Sequence, residues 1–215
     1  MNDFYELGMK HGTDKVGHHG YHFCYPTYLE RFRDLEFSML EIGYQGGHSC
    51  RMWEQYFPKA KIFAIDIGVE GQFDNHTVFK ADQSSESDLT QIVERIGSAK
   101  FIIDDGSHNP AHQIKTFNML FENLLEPGGV YIIEDTECNY WREDALLYGY
   151  QVGSLNVINY LKDLVDCVNS EFSKKENSLQ ISSITYSQNC IVITKQTEAE
   201  REHFNRAYRY GFNCK

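Results

Sequence analysis

The 215-residue chain is short of positive charge: 20 lysines and arginines stand against 31 acids, a formal net charge of −11. A generic nucleic-acid binder needs a basic surface, so nucleic acid is not an expected partner. An acidic chain also does little to attract anionic membranes. Long apolar runs are missing as well. None is long enough to span a bilayer, and the opening "MNDFYELGMKHGTDK" has no apolar signal core. The cysteines, at Cys24, Cys50, Cys138, Cys167, Cys190 and Cys214, are scattered and form no C-x-x-C pair. That spacing argues against structural zinc or a redox dithiol, and for free thiols in a reducing, cytoplasmic compartment. The "NHT" sequon at 75–77 is read as chance without a secretory signal. Neither internal repeats nor a low-complexity linker interrupts the chain.

Hydrophobic residues make up 41% and charged residues 24%, a balance that fits one globular unit with a full core. Short apolar runs alternate with helical patterns. "SMLEIG" (38–43), "KIFAIDI" (61–67), "TVFKAD" (77–82), "KFIIDD" (100–105) and "GVYIIED" (129–135) read as strands. "SCRMWEQYF" (49–57), "SESDLTQIVERIG" (85–97), "NPAHQIKTFNMLFENLLEPGG" (109–129) and "SLNVINYLKDLVDCVNSEF" (154–172) read as helices, two of them with Ser or Asn caps and Gly stops. "QISSITYSQNCIVITK" (180–195) reads as two strands around a tight turn. Strand–helix alternation implies parallel strands with right-handed crossovers. The expectation is a doubly wound, mostly parallel α/β sheet of about seven strands, Rossmann-like, with an antiparallel C-terminal hairpin. Residues 37–196 would form the catalytic domain, residues 1–36 a His- and Tyr-rich cap over the ligand edge, and residues 197–215 a tail. The cluster His18, His19 and His22 suits a mobile cap better than a second metal site.

In such sheets ligands sit beyond the carboxyl ends of the strands, at the point where strand order reverses. "EIGYQGGHS" (41–49) ends the first strand there. Gly43 permits a tight turn, and Gly46 and Gly47 let backbone approach a ligand at a helix N-terminus. Asp66 ends the second strand about 20 residues after Gly43, where an acid grips ribose hydroxyls. Asp82 and Gln83 end the third, where an adenine amino group can be read. The loop lacks the G-x-G-x-x-G fingerprint of nicotinamide enzymes. Glu41, just before the first glycine, also suits an ammonium-bearing ligand better than a pyrophosphate. S-adenosylmethionine is therefore preferred to a nicotinamide dinucleotide.

The fourth and fifth strands end in carboxylates: Asp104 and Asp105 in "FIIDDGSHNPAH", Glu134 and Asp135 in "IIED". If these strands are parallel neighbours, four acids converge and repel one another unless a cation sits among them. A hard divalent ion such as magnesium answers that need. Neighbouring residues in a strand point to opposite sides. Asp105, Glu134 and Asp135 are accordingly expected as metal ligands, and Asp104 is expected to face the cofactor. His108, three residues after Asp105, can take a proton from a hydroxyl whose acidity the metal raises. His112, the second candidate base, fits a structural contact at the helix start better.

With these motifs in order, "GTDK" (12–15), "HGYHFCYP" (19–26), "EIGYQGG" (41–47), "RMWEQYFP" (51–58), "IDDGSH" (103–108) and "GGVYIIED" (128–135), the chain resembles the metal-dependent, S-adenosylmethionine-dependent sugar O-methyltransferases of the macrocin and mycinamicin type. The resemblance implies a magnesium site on Asp105, Glu134 and Asp135, a base at His108, and cofactor contacts at Glu41, Gly43, Asp66, Asp82 and Gln83. It implies a saccharide or glycoside acceptor. The mycinamicin-type enzyme carries a large extra N-terminal domain that this chain lacks, so its substrate enclosure and oligomer geometry do not transfer, and self-association stays open. Two alternatives remain at this level: methylation of a catechol or other vicinal diol or a related metal-assisted reaction, and a cofactor-sensing module without catalysis. The latter leaves the carboxylate patch without a purpose.

Overall fold

The computed structural model describes residues 3–206. Among the described residues there are ten strands: β1 (Ser38–Ile42), β2 (Lys61–Asp66), β3 (Gly71–Gln72), β4 (His76–Lys80), β5 (Ala99–Asp104), β6 (Leu125–Glu134), β7 (Leu146–Leu147), β8 (Tyr150–Gln151), β9 (Ile181–Ser187) and β10 (Cys190–Lys195). The helices are α1 (Asp3–His11), α2 (Asp14–Gly17), α3 (Tyr25–Leu29), α4 (His48–Tyr56), α5 (Glu86–Ile96), α6 (Pro110–Asn123), α7 (Val157–Asp163), α8 (Val165–Val168), α9 (Ser170–Ser173) and α10 (Glu198–Arg206), with 3-10 turns between some of them.

Eight strands form the main sheet in the order β3-β4-β2-β1-β5-β6-β10-β9. Parallel pairing joins β4, β2, β1, β5 and β6, and the β9–β10 hairpin adds antiparallel strands beside β6. The chain runs outward from β1 through β2 to β4, then returns to lay β5 on the other side of β1. That reversal makes β1/β5 the switch point, where an open α/β sheet leaves a crevice at its carboxyl edge. The doubly wound fold expected from the sequence is the one observed. The eighth strand is the two-residue β3, antiparallel to β4, in a stretch with no apolar alternation to announce it.

Side-chain parity divides the strands cleanly between two cores. Met39, Phe101, Ile103, Val130, Ile132 and Val192 enter one cluster, and Leu40, Ile42, Ile102, Tyr131, Ile133, Ile191 and Ile193 enter the other. The second core is covered by α5, α6 and α7 through residues such as Leu89, Phe117 and Leu161. The first is covered by α4, with Trp53 and Tyr56, by Phe57 just after it, and by the N-terminal segment, with Phe4, Val16, Tyr21, Tyr25, Leu29 and Phe32. Residues 3–36 therefore form a packed layer on one sheet face, and Gly12, Thr13 and Asp14 of this segment line the cavity at the ligand edge.

Two sequence expectations are adjusted. The helix expected over 154–172 is broken into α7, α8 and α9. Its second half is filled with Val165, Asp166, Val168, Asn169 and Ser170, whose helix propensity is low. The fifth expected strand starts earlier, at Leu125, passing through Gly128 at φ +72, and stops at Glu134, so that Asp135 lies beyond it in the left-handed region. Of the expected tail, residues 198–206 are helical, and residues 207–215, with Cys214, lie outside the described residues. The five described cysteines are free thiols. No helix among the described residues is long and apolar enough to cross a membrane.

Candidate active site

A cavity of about 460 Å³ opens at the carboxyl ends of β1, β2, β4 and β5. That volume is in the range of small-molecule sites. Gly43, at φ +95, turns the chain sharply out of β1, and its N–H donates to Ile65 O at 2.9 Å. Asp66 knits the adjoining loops together. Its Oδ2 accepts the N–H groups of Tyr44 (3.2 Å) and Gln45 (3.1 Å), and its Oδ1 accepts those of Gly68 (2.8 Å) and Val69 (3.1 Å). Asp82 accepts from Ser84 N at 2.7 Å and from the Tyr150 hydroxyl at 3.3 Å. Burial pushes its pKa upward, but the bonds from Ser84 and Tyr150 outweigh that and hold it below the usual range.

The acidic end of the cavity is built by three neighbouring strands. On β1 and β6, Glu41 and Glu134 share the parity of the first core, the face covered by the N-terminal segment. Lys15, on α2 and 1% exposed, reaches in from that segment. Its ammonium lies 2.5 Å from Asp105 Oδ2, 2.6 Å from Glu134 Oε2 and 3.4 Å from Glu41 Oε1. The Tyr25 hydroxyl donates to the other oxygen of Glu134. Burial alone would lower the Lys15 pKa, but Asp105, Glu134 and Glu41 together keep it above the usual range, so the ammonium stays charged.

Asp135 is set apart from these by its backbone. At φ +51 it leaves the strand and turns its carboxylate toward the cavity. Tyr21 OH donates to Oδ1 at 2.7 Å and Asn189 Nδ2 at 3.1 Å, and Tyr21 is in turn stacked between His19 and Tyr25. His108 Nε2 lies 3.7 Å from Asp135 Oδ2, and its Nδ1 is buried with no hydrogen-bond partner among the described residues. Asp105, His108 and Asp135 each offer one donor atom, all within 4.8 Å of one another. Gln45, His108, Asp135 and Tyr148 all line the cavity with positive φ. Such strained backbone gathers at sites where the fold overdetermines a functional geometry.

Of the residues singled out from sequence, Gly43, Asp66, Asp82, Gln83, Asp105, His108 and Asp135 line the cavity. Glu41, Gly47, Asp104 and Glu134 do not. Glu41 is turned into the first core, where Ser49 Oγ and Cys50 Sγ donate to its Oε2 at 2.8 and 3.3 Å. Gly47 lies beneath the Tyr44 ring. Asp104, expected to face the cofactor, has the parity of the second core. It is fully buried and accepts from Gln83 Nε2 at 3.1 Å, and burial raises its pKa to about 6. The Gln83 amide is occupied at both ends, because its Oε1 also accepts Ser107 N at 2.5 Å. His112 bonds Ser107 Oγ at 2.8 Å and packs edge-on against Tyr150 at the start of α6, as the structural alternative expected. His18, His19 and His22 form no metal group with one another among the described residues.

Sequence reasoning missed Lys15, Tyr21 and Tyr25, which hold the acids, and Tyr148 and Tyr150, which overhang the cavity. Tyr148 is 70% exposed at the turn of the β7–β8 hairpin, with its ring centroid 6.0 Å from that of His108. The signal for Lys15 was electrostatic. Acids converging on one sheet edge require a cation, and "GTDK" supplies a lysine in a segment already noted.

No protein-family model matches the chain. It is 36% identical over 170 residues to 8-demethyl-8-alpha-L-rhamnosyl tetracenomycin-C 2'-O-methyltransferase of Streptomyces olivaceus, covering 74% of this chain and 44% of that protein. It is 34% identical over 178 residues to mycinamicin VI 2''-O-methyltransferase of Micromonospora griseorubida, covering 77% of this chain and 44% of that protein. Among solved structures it superposes on the MycE methyltransferase of the mycinamycin biosynthetic pathway, in complex with Mg, SAH and mycinamycin VI. There the TM-score is 0.81 with 29% identity, over 91% of this chain and 54% of that one. The chain thus spans about half the length of the curated relatives it matches. Over the region they share, the chain belongs to the family of the macrocin- and mycinamicin-type sugar O-methyltransferases.

Proposed function

We propose that the chain is an S-adenosylmethionine-dependent O-methyltransferase acting on a hydroxyl of a sugar or glycosylated small molecule, with a divalent cation, magnesium or a similar ion, and His108 as general base. One observation carries this: the cavity across the ends of β1, β2, β4 and β5 ends on the group Asp105, His108 and Asp135. Two carboxylates with a histidine beside them suit a hard cation and a proton acceptor in one place. The relatives act on glycosides, and the MycE complex holds Mg and SAH, which supports the same ligands here.

We assign Asp105 and Asp135 as metal ligands, with Glu134 as the third. Glu134 shares an ammonium with Asp105 and keeps lone pairs beyond those that Lys15 and Tyr25 engage. Asp66, Asp82 and the Gly43 turn bind the cofactor, and Glu41, Asp104 and Gln83 support them from below. When bound, the cofactor supplies an electrophilic methyl carbon on a sulfonium, and the ion supplies a Lewis acid that makes an acceptor hydroxyl more acidic. His108 accepts that hydroxyl's proton on Nε2, and Asp135 beside it stabilises the imidazolium. The oxygen so freed would take the methyl group that a bound S-adenosylmethionine would supply, leaving S-adenosylhomocysteine. Positioning of the acceptor and the charge of the ion would supply much of the rate.

In this proposal residues 37–196 are the catalytic domain, residues 1–36 the N-terminal segment, whose described part covers one face and supplies Lys15, and residues 197–215 the C-terminal segment, described only to residue 206. The free thiols fit a cytoplasmic enzyme. The test is incubation with S-adenosylmethionine, Mg²⁺ and a panel of glycosides and catechols, with S-adenosylhomocysteine and methylated product followed by mass spectrometry. A methylated glycoside that disappears with EDTA is expected. Absence of both cofactor binding and turnover across the panel would overturn the proposal.

A further inference from the structure

Lys15 is a buried cation that the proposed chemistry does not use. It is 1% exposed, on a four-residue helix whose Thr13 cap accepts the Lys15 N–H at 3.4 Å. Three carboxylates from three adjacent strand ends surround its ammonium, at 2.5 Å (Asp105), 2.6 Å (Glu134) and 3.4 Å (Glu41). Two of these acids are cation ligands in the function proposed above, on which this inference rests. The third, Glu41, is buried away from the cavity. A lysine is rarely buried this completely unless its charge is matched, and these acids could not stay ionised together without one.

We propose that Lys15 is a positioning residue that acts as a fixed counter-cation: it holds the acid cluster assembled while no divalent ion is bound, and it lowers the affinity of the site for that ion. The charges make both halves of this follow. Glu41, Asp105, Glu134 and Asp135 offer at most four negative charges, burial disfavouring ionisation of Glu41, Glu134 and Asp135, and the ammonium at hydrogen-bond distance offsets one of them. Without it the acids repel more strongly when empty and attract a divalent cation more strongly when it is offered. An isosteric neutral side chain should therefore convert a site that is stable when empty into one that depends on its metal. Glu41 supplies the control. Because it touches Lys15 but not the cavity, neutralising it removes one negative charge without removing a proposed ligand.

The test compares wild type, Lys15→Met and Lys15→Met/Glu41→Gln by thermal melting with and without Mn²⁺, and by Mn²⁺ titration followed by electron paramagnetic resonance. For Lys15→Met the expected result is a lowered melting temperature in EDTA, recovery with Mn²⁺, and a Kd for Mn²⁺ tightened by about tenfold or more. The double variant should return both the melting temperature in EDTA and the Kd toward wild type. A Lys15→Met protein with unchanged or weaker Mn²⁺ binding overturns the inference, because Lys15 would then be a geometric clamp. If Lys15→Met does not fold in EDTA, the double variant decides: failure to restore folding also overturns it. Wild type that binds no Mn²⁺ overturns the metal site of the proposed function instead, and the melting temperatures still report whether the lysine's charge holds the cluster.

Discussion

Gly43 and Asp105 touch through their backbones. A Cβ on Gly43 would overlap the carbonyl group of Asp105, and Gly43 itself is at φ +95. The turn out of β1 is thereby pressed against the end of β5 that carries Asp105 into the cavity. The contact is reinforced by Asp105 N donating to Ile42 O at 2.9 Å. Neither the left-handed backbone nor the steric overlap can be relieved by a rotamer change. Gly43→Ala is expected to cost about 3 kcal/mol or more, by strain together with overpacking. Urea unfolding checks this, and a loss well under 1 kcal/mol would mean the two loops slide apart freely.

His108 is the proposed base, and its own backbone, at φ +52, dictates how to test it. Alanine there would add strain, whereas asparagine tolerates the left-handed region and cannot accept the proton. His108→Asn should lower kcat by about 10² to 10⁴. S-adenosylhomocysteine affinity, measured by calorimetry, should stay close to wild type because the proposed cofactor contacts, Gly43, Asp66 and Asp82, lie on other loops. A kcat within threefold of wild type would remove His108 from the base role.

Asp135 lies outside the strand at φ +51, held by Tyr21 and Asn189. Asp135→Asn keeps a side chain that accepts this backbone and keeps an oxygen for Tyr21, but it removes a charge from the proposed metal set. Loss of outer-shell partners alone typically weakens metal binding 10- to 100-fold, so a ligand should cost at least about tenfold. Mn²⁺ titration reads this directly, while the melting temperature in EDTA should hold or rise because repulsion among the acids is relieved. Undiminished Mn²⁺ affinity would place the ion elsewhere.

Most of what positions this site was legible in the chain, and the parts that were not share one cause. Strand ends were visible because apolar runs stop abruptly at Gly43, Asp66, Asp82, Asp105 and Asp135, and all five line the cavity. The face each acid takes was harder to read. Alternation separates Asp104 from Asp105 correctly, but carried along from the core residues it also sends Glu41 and Glu134 to the N-terminal layer and Asp104 to the helix α6 side. Assigning Asp104 to the cofactor ignored that count. Lys15, Tyr21 and Tyr25 had no periodic signal at all, since they lie in short turns of helix whose places are fixed by tertiary packing rather than by local pattern.

Asp104 connects this parity to pH. It is fully buried, and burial raises its pKa from 3.8 to about 6, against the opposing bonds from Gln83 and Gly106. Because the folded value lies above the unfolded one, the folded chain holds an extra proton between these two values. This group's contribution to stability is therefore greatest below the unfolded pKa and is lost as pH rises toward 6. Above that, the ionised carboxylate is a standing cost. Asp104→Asn is nearly isosteric and keeps an acceptor for Gln83 Nε2 without the charge, so it should stabilise the protein at pH 7.5 by an amount on the order of 1–3 kcal/mol. The gain should shrink steadily as pH falls from 7 to 4. Paired thermal melts of wild type and variant across that range measure it. A gain that is flat with pH, or a variant less stable than wild type at pH 7.5, would mean that the Gln83 bond to an ionised Asp104 outweighs the burial of its charge.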